Sequence, residues 1–282
     1  MTIATAAYVD LHMHSTASDG SQSPRDVVRA AKIAGLEAIA LTDHDSVAGL
    51  PEAQDAGVEF GVRIVNGIEL SAVEGDAETH MLGLHLSDTL VIERELGALR
   101  DMRERRGQQI VDKLIALGVM VTFDDVLSQA GGGAVGRPHV ARALVADGWA
   151  TDVRDAFDRY LGAGKPAYVA KDQLGMAAAI AIIHAAGGLA ILAHPGPAGT
   201  RERLTALAAL GMDGVEVRHP GHSPNDTNRL NALAAQLGLL VSGGSDWHGA
   251  AEGPRTIGMM QVPFEWLALQ DAHLLERRAP AA

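Results

Sequence analysis

Most short apolar segments of this chain end in histidine or a carboxylate, and stretches of helical periodicity separate them. Residues 8–15 set the pattern, with Val9, Leu11 and Met13 alternating with Asp10, His12 and His14. Side chains two apart in a strand point the same way, so His12 and His14 share a face. Two imidazoles converging from one short strand are costly to bury unless something binds them, and a divalent metal is the usual binder. Segment 38–41 runs into Asp43 and His44, segment 63–70 carries Glu69 near its end, and segment 79–86 carries His80. The acidic loop before residue 79 suggests a hairpin. Segment 189–193 reaches His194, segment 214–217 reaches Arg218 and His219, and segment 239–242 reaches Asp246 and His248. Seven strands are expected, mostly separated by helices such as the one opened by Ser23 and Pro24 and ended by Gly35. The expected class is α/β, because parallel sheets and barrels of that class gather their sites at strand C-termini.

Residues 88–172 depart from this alternation. Helical periodicity runs through Leu96, Leu99, Ile110, Leu114 and Leu117, the glycines at 131–133 interrupt it, and Arg137-Pro138-His139 follows. The sequence predicts a helical insertion over 89–170, between a first part of the α/β body (1–88) and a second part (171–282).

Composition narrows the function. Aromatic residues make up only 4 % of the 282, so the core must be built from Ala, Val, Leu and Ile, which suits helices packed on a buried sheet. The formal charge of −12 argues against a uniformly basic nucleic-acid-binding face. Segment 88–172 holds 12 Lys and Arg against 13 Asp and Glu, and the remainder 11 against 22. An acidic body that collects cations beside a balanced segment able to meet an anion is the expected arrangement. With no Cys, disulfides, thiolate sites and cysteine nucleophiles are excluded. The apolar run 175–193 is broken by Gly187-Gly188 and reads as helix, turn and strand rather than a membrane span. The chain start lacks the basic region of a secretory signal, so the cytoplasm is the expected location.

The candidate metal ligands are His12, His14, Asp19, His44, Glu69, His80, His194, Asp246 and His248. This imidazole and carboxylate set suits Mn²⁺, Zn²⁺ or Fe²⁺ and is too rich in nitrogen for an all-oxygen cage. Nine ligands exceed the needs of one ion, so two or three are expected, with Glu69 a natural bridge.

Six motifs, Asp10-Leu-His-Met-His-Ser15, Leu41-Thr-Asp-His-Asp45, Gly67-Ile-Glu69, Thr79-His80, Ala193-His-Pro195 and Gly244-Ser-Asp-Trp-His248, resemble in order those of the PHP (polymerase and histidinol phosphatase) phosphoesterases. The resemblance implies a distorted (β/α)₇ barrel, with the insertion as a lid and substrate domain. It implies one ion on His12, His14, Glu69 and Asp246, a second on Glu69, His80 and His194, and a third on Asp19, His44 and His248, with Mn²⁺ the expected metal. Asp19 stands where the family often has His.

The insertion and Gly136-Arg-Pro-His139 look like the branch of 3′,5′-nucleoside bisphosphate phosphatases and 5′→3′ exoribonucleases. Expected activity is therefore hydrolysis of the 3′-phosphate of a 3′,5′-nucleoside bisphosphate, such as pAp, by metal-activated hydroxide attack. Alternatives are trimming of short 5′-phosphorylated RNA, a histidinol-phosphatase-like activity, or a non-catalytic metal-binding module. Asp246 is the expected proton acceptor, and His219, His194 or a metal-bound water is the candidate for protonating the leaving oxygen. Arg137, His139, Lys165, Arg218 and His219 are the expected substrate contacts, because Arg at a helix start and at strand ends suits phosphate. A nucleotide or short oligonucleotide is the expected partner, with neither membrane nor stable protein partner implied.

Overall fold

The computed structural model describes residues 7–75, 77–130, 135–169, 174–253 and 255–278. The chain start, the glycines at 131–133 and the Leu99 side chain lie outside the described residues. In chain order the elements are β1 (Tyr8–Asp10), α1 (Pro24–Ile33), β2 (Ala38–Leu41), α2 (Leu50–Phe60), β3 (Arg63–Glu74) and β4 (Ala77–Leu84). Next come α3 (Thr89–Ala116), α4 (Phe123–Ala130), α5 (Arg137–Ala146) and α6 (Val153–Ala156), which continues as a π-helical turn over Phe157–Leu161. The alternation resumes with α7 (Met176–Ala185), β5 (Leu189–Leu192), α8 (Arg201–Ala209), β6 (Gly214–Arg218), α9 (Pro224–Leu237), β7 (Leu240–Gly243), β8 (Val262–Pro263) and α10 (Phe264–Arg278). Contacts divide the chain into two compact units, Met1–Glu93 with Leu174–Ala282, and Arg94–Gln173.

The first unit is an α/β barrel. Strands β1 to β7 lie side by side in sequence order. The β1–β2, β2–β3, β5–β6 and β6–β7 pairs are parallel, while β4 runs against both of its neighbours. Residues 11–14 extend β1 and run beside residues 243–247. There the Leu11 N–H donates to Gly243 O (3.1 Å), the Asp246 N–H to His12 O (2.9 Å) and the His14 N–H to Trp247 O (2.9 Å). These bonds bring the last parallel strand back to the first and close the ring of seven. An eighth strand, outside the sequence expectation, is the two-residue β8, which pairs antiparallel with Tyr8 and Val9. The expected end of the third strand at residue 70 is also corrected. The β3–β4 hairpin carries β3 on to Glu74, so Glu69 sits in mid-strand opposite Leu82.

Burial explains the strand sequences. Ala38-Ile-Ala-Leu41 and Leu189-Ala-Ile-Leu192 are buried at every position, as strands covered on both faces must be. Val9, Leu11, Ala40, Leu82, Leu84 and Ile191 share one cluster, which Leu267 of α10 joins. Local chemistry punctuates the helices. The Ser23 hydroxyl accepts the Asp26 N–H at the start of α1, beside Pro24. Ser223 and Asp226 form a reciprocal capping box at α9, and Gly238 closes that helix in the left-handed region.

The second unit has its own core, built from Ile110, Leu114, Val126, Val140, Leu144 and Leu161. No strand occurs among its described residues. In the described residues of the whole chain, no helix is long and apolar enough to cross a membrane.

Candidate metal centre

Each turn that follows a parallel strand of the barrel delivers a polar side chain to one end of the ring. His12 and His14 leave the β1 extension and are wholly buried. His44 follows β2 and bridges to Glu69 of β3. His80 comes from β4, His194 follows β5, His219 follows β6, and Asp246 and His248 follow β7. His194 (φ 27°) and Asp246 (φ 50°) occupy left-handed backbone that costs a non-glycine residue of order 1–3 kcal/mol. Specific bonds hold them there: the His194 N–H donates to Glu216 Oε2 (2.8 Å) and the Asp246 N–H to His12 O (2.9 Å).

Glu69 is the hub. Its Oε1 lies 2.9 Å from His80 Nδ1 and 3.0 Å from His194 Nε2. Its Oε2 lies 3.1 Å from His12 Nε2, 3.3 Å from His14 Nε2 and 3.3 Å from His44 Nδ1. One carboxylate thus serves two groups of imidazoles, one per oxygen. Asp246 divides its oxygens in the same way. Oδ1 faces His14 Nε2 (3.2 Å) and His12 Nε2 (3.5 Å), while Oδ2 accepts from His219 Nε2 (3.3 Å) and from Arg255.

Hydrogen bonds at the far ring nitrogens orient the candidate ligands. His12 Nδ1 donates to Glu216 Oε1 (3.1 Å), which leaves Nε2 for the centre. His248 Nδ1 donates to the Asp246 carbonyl (2.9 Å) and turns its Nε2 toward Asp19 Oδ1 (3.3 Å). His219 is different. Its Nδ1 accepts the Gly221 N–H (3.0 Å), so the ring proton sits on Nε2, aimed at Asp246.

The donor set fits divalent metal ions. His14 Nδ1, His14 Nε2 and His80 Nδ1 are buried and have no hydrogen-bond partner of proper direction, although carboxylate oxygens lie within 3.8 Å of each. Nitrogens left unpaired in this way point at a shared space rather than at each other, and imidazole with carboxylate is a transition-metal donor set. Three groups have ligand atoms close enough to share an ion: His12, His14, Glu69 and Asp246; His14, Asp19, His44 and His248; and His44, Glu69 and His80. His194 joins the last through Glu69 Oε1. His12, Glu216 and His219 form a further close trio, but the hydrogen bonds just described engage His12 Nδ1 and His219 Nδ1.

The electrostatics tell the same story. Burial pushes the Glu69 carboxyl up, but His12, His14 and His194 more than offset this and hold it well below the usual carboxylate range. Asp246 is depressed likewise, by His14, His219 and His12 against its own burial. Burial lowers His12, yet Glu69 and Glu216 carry it well above its ordinary value, and His14 is raised by Asp246 and Glu69. The bond to Glu69 raises His80, whereas burial lowers His44. Positive charge collects wherever the carboxylates can hold it.

All nine residues expected as ligands from the sequence come together here, and so does His219. Arg218 does not. Its guanidinium donates to the carbonyls of Met260 and Gln261 and lies 5.3 Å from the centre of the Trp266 ring. A register irregularity lies between Glu216, which faces the cluster, and Arg218, which stands at the strand end but does not. Arg137, His139 and Lys165 belong to the second unit. Arg137 stands over Phe157 and Tyr168 and donates to Leu161 O, His139 Nδ1 accepts the Gly136 N–H at the start of α5, and Lys165 is exposed.

Four residues escaped the sequence reading. Glu216 is wholly buried in mid-strand, and an acid inside the apolar run Gly214-Val-Glu-Val217 was the available signal. Asp10, also buried, accepts from the Ser245 and Gly258 N–H groups. His222 and Arg255 line the cavity beside the cluster, and both lie in loops without pattern. Asp43 accepts from the Ser15 N–H and from the Ser15 and Ser18 hydroxyls, and so holds the loop that carries Asp19.

A sequence pattern for the PHP domain matches residues 10–186. A 5′-3′ exoribonuclease of Haemophilus influenzae is 38 % identical over 245 residues, covering 85 % of this chain and 89 % of that protein. A 3′,5′-nucleoside bisphosphate phosphatase of Chromobacterium violaceum is 36 % identical over 259 residues, covering 89 % and 91 %. Among solved structures, a candidate metal-dependent phosphoesterase from Bifidobacterium adolescentis superposes with a TM-score of 0.66 at 35 % identity, over 95 % of this chain and 96 % of that one.

Proposed function

This chain belongs to the PHP-domain family and is a metal-dependent phosphoric ester hydrolase, and on that premise we propose that it removes the 3′-phosphate from 3′,5′-nucleoside bisphosphates. The observation that carries the reading is Glu69, whose two oxygens each face a separate set of histidines, an arrangement suited to paired ions and phosphoryl transfer. His12, His14, Glu69 and Asp246 would hold one ion, Glu69, His80 and His194 a second, and Asp19, His44 and His248 a third. Divalent ions at these ligands would supply an acidified water and neutralise the phosphoryl oxygens.

The protein's own groups do the rest. Asp246, on the cavity wall, takes the proton of the attacking water and returns it to the departing 3′ oxygen. His219, fixed as an Nε2–H donor by the Gly221 N–H, stabilises charge that builds on the reacting oxygens. Glu216 keeps His12 in register through every step. No covalent phosphoenzyme is needed.

A panel of esters tests this: pAp and other bisphosphates, plain nucleoside monophosphates and histidinol phosphate, each assayed for phosphate release. A monoester lacking a second phosphate that outruns every bisphosphate would defeat the assignment. The Haemophilus relative favours a second reading, trimming of short 5′-phosphorylated RNA. Labelled oligonucleotides released stepwise as mononucleotides would support it.

A further inference from the structure

The cavity beside the ligand cluster, about 370 Å³, is walled largely by imidazoles, and Arg255 is the one Arg or Lys among the described residues that lines it. A phosphate ester entering there carries negative charge into a site that already holds Glu69 and Asp246. Arg255 sits in the loop after β7, and that loop is anchored from below. The buried Asp10 accepts the Ser245 N–H (2.9 Å) with one oxygen and the Gly258 N–H (3.0 Å) with the other. It therefore ties the Arg255 loop to the turn that bears Asp246. Trp247 Nε1 adds a bond to Ala250 O (2.7 Å). The guanidinium is thus delivered by a pinned loop, yet its side chain remains 49 % exposed. Only Nη1 is engaged, by Asp246; Nε and Nη2 have no partner among the described residues.

We propose that Arg255 binds the phosphoryl group of the substrate, with its ion pair to Asp246 as the resting position from which it meets the anion. This rests on the phosphoesterase reading above. Asp246 Oδ1 is turned to His12 and His14, so Oδ2 can share Arg255 with an incoming phosphate without disturbing the ligand side. The open guanidinium edge, Nε–H with Nη2–H, matches two oxygens of a tetrahedral oxyanion, which a single ammonium would meet as a point charge. Arg218, the barrel cation expected from the sequence, is committed to the Met260 and Gln261 carbonyls, whereas Arg255 lines the cavity.

The test is titration of inorganic phosphate into the metal-loaded protein by calorimetry, with Arg255→Gln and Arg255→Lys beside the wild type. Loss of charge-assisted hydrogen bonds should weaken phosphate binding roughly ten- to hundredfold in Arg255→Gln, with Arg255→Lys between, and leave metal content unchanged. KM for the bisphosphate should rise in parallel. Unchanged phosphate affinity in Arg255→Gln would overturn the proposal. So would wild-type protein that binds no phosphate at millimolar concentration. Loss of metal in Arg255→Gln would also overturn it, by making Arg255 a support for Asp246. If the wild type hydrolyses no ester, the functional reading fails, but the titration still decides the role of Arg255.

Discussion

Glu216 Oε1 lies 3.1 Å from His12 Nδ1, and both side chains are wholly buried. The same carboxylate accepts the His194 N–H with its other oxygen, so one acid on β6 sets the position of two candidate ligands. Carboxylate–histidine pairs of this kind fix the ring and strengthen its free nitrogen as a donor. Glu216→Gln keeps the shape and removes the charge. It should lower metal affinity by roughly 10- to 100-fold while the barrel stays folded. Metal retained after dialysis, set beside circular dichroism, checks this, and wild-type retention would refute it.

His12→Ala removes a ligand outright. Turnover should fall by more than the roughly 10–100-fold expected from losing a residue that only orients a ligand. The metal count should drop, and the melting curve should remain cooperative. Full activity in this variant would dismantle the centre as described.

Binding of divalent ions should release protons. His12, His14 and His80 are held above their ordinary pKa by carboxylate neighbours, despite burial. A ligating nitrogen must give up its proton. Raised values mean more protons bound before the ion arrives, so they leave on binding, and affinity should climb as pH rises through those values. Calorimetry in two buffers of different ionisation enthalpy reads the release directly, and identical heats in both would contradict it.

Gly244 packs against the strand that carries His12. A Cβ there would stand 2.4 Å from His12 Cβ and 2.5 Å from His12 N. Gly244→Ala must therefore shift backbone that carries ligands on both sides, at a cost of about 1–3 kcal/mol. Denaturant unfolding should show the loss, and metal affinity should fall with it. A variant as stable and as tightly metallated as wild type would show that the turn relaxes freely.

Much of the candidate centre was legible because its residues follow strands whose apolar runs are plain in the sequence. His12 and His14 share a destination by simple parity. A strand-end position alone did not tell where Arg218 points, because the ladder is irregular between Glu216 and Arg218. Glu216 and Asp10 were hidden for another reason. Each is an acid inside an apolar strand, and its partners lie on segments far away in sequence. β8 is two residues long and has no period to detect, and the Arg255 loop has neither period nor motif.

The bonds that close the barrel join Leu11, His12 and His14 to Gly243, Asp246 and Trp247, more than 230 residues later. Loop closure over that span is among the last gains available to a folding chain. His12 and His14 stand on one side of that seam, and Asp246 and His248 on the other. A chain still short of its final parallel strand therefore lacks Asp246 and His248 and has only part of two of the three candidate sets, while Glu69, His80 and His194 are already in place. Because the proposed chemistry runs through Asp246, catalytic competence arrives with the last strand rather than accumulating along the way.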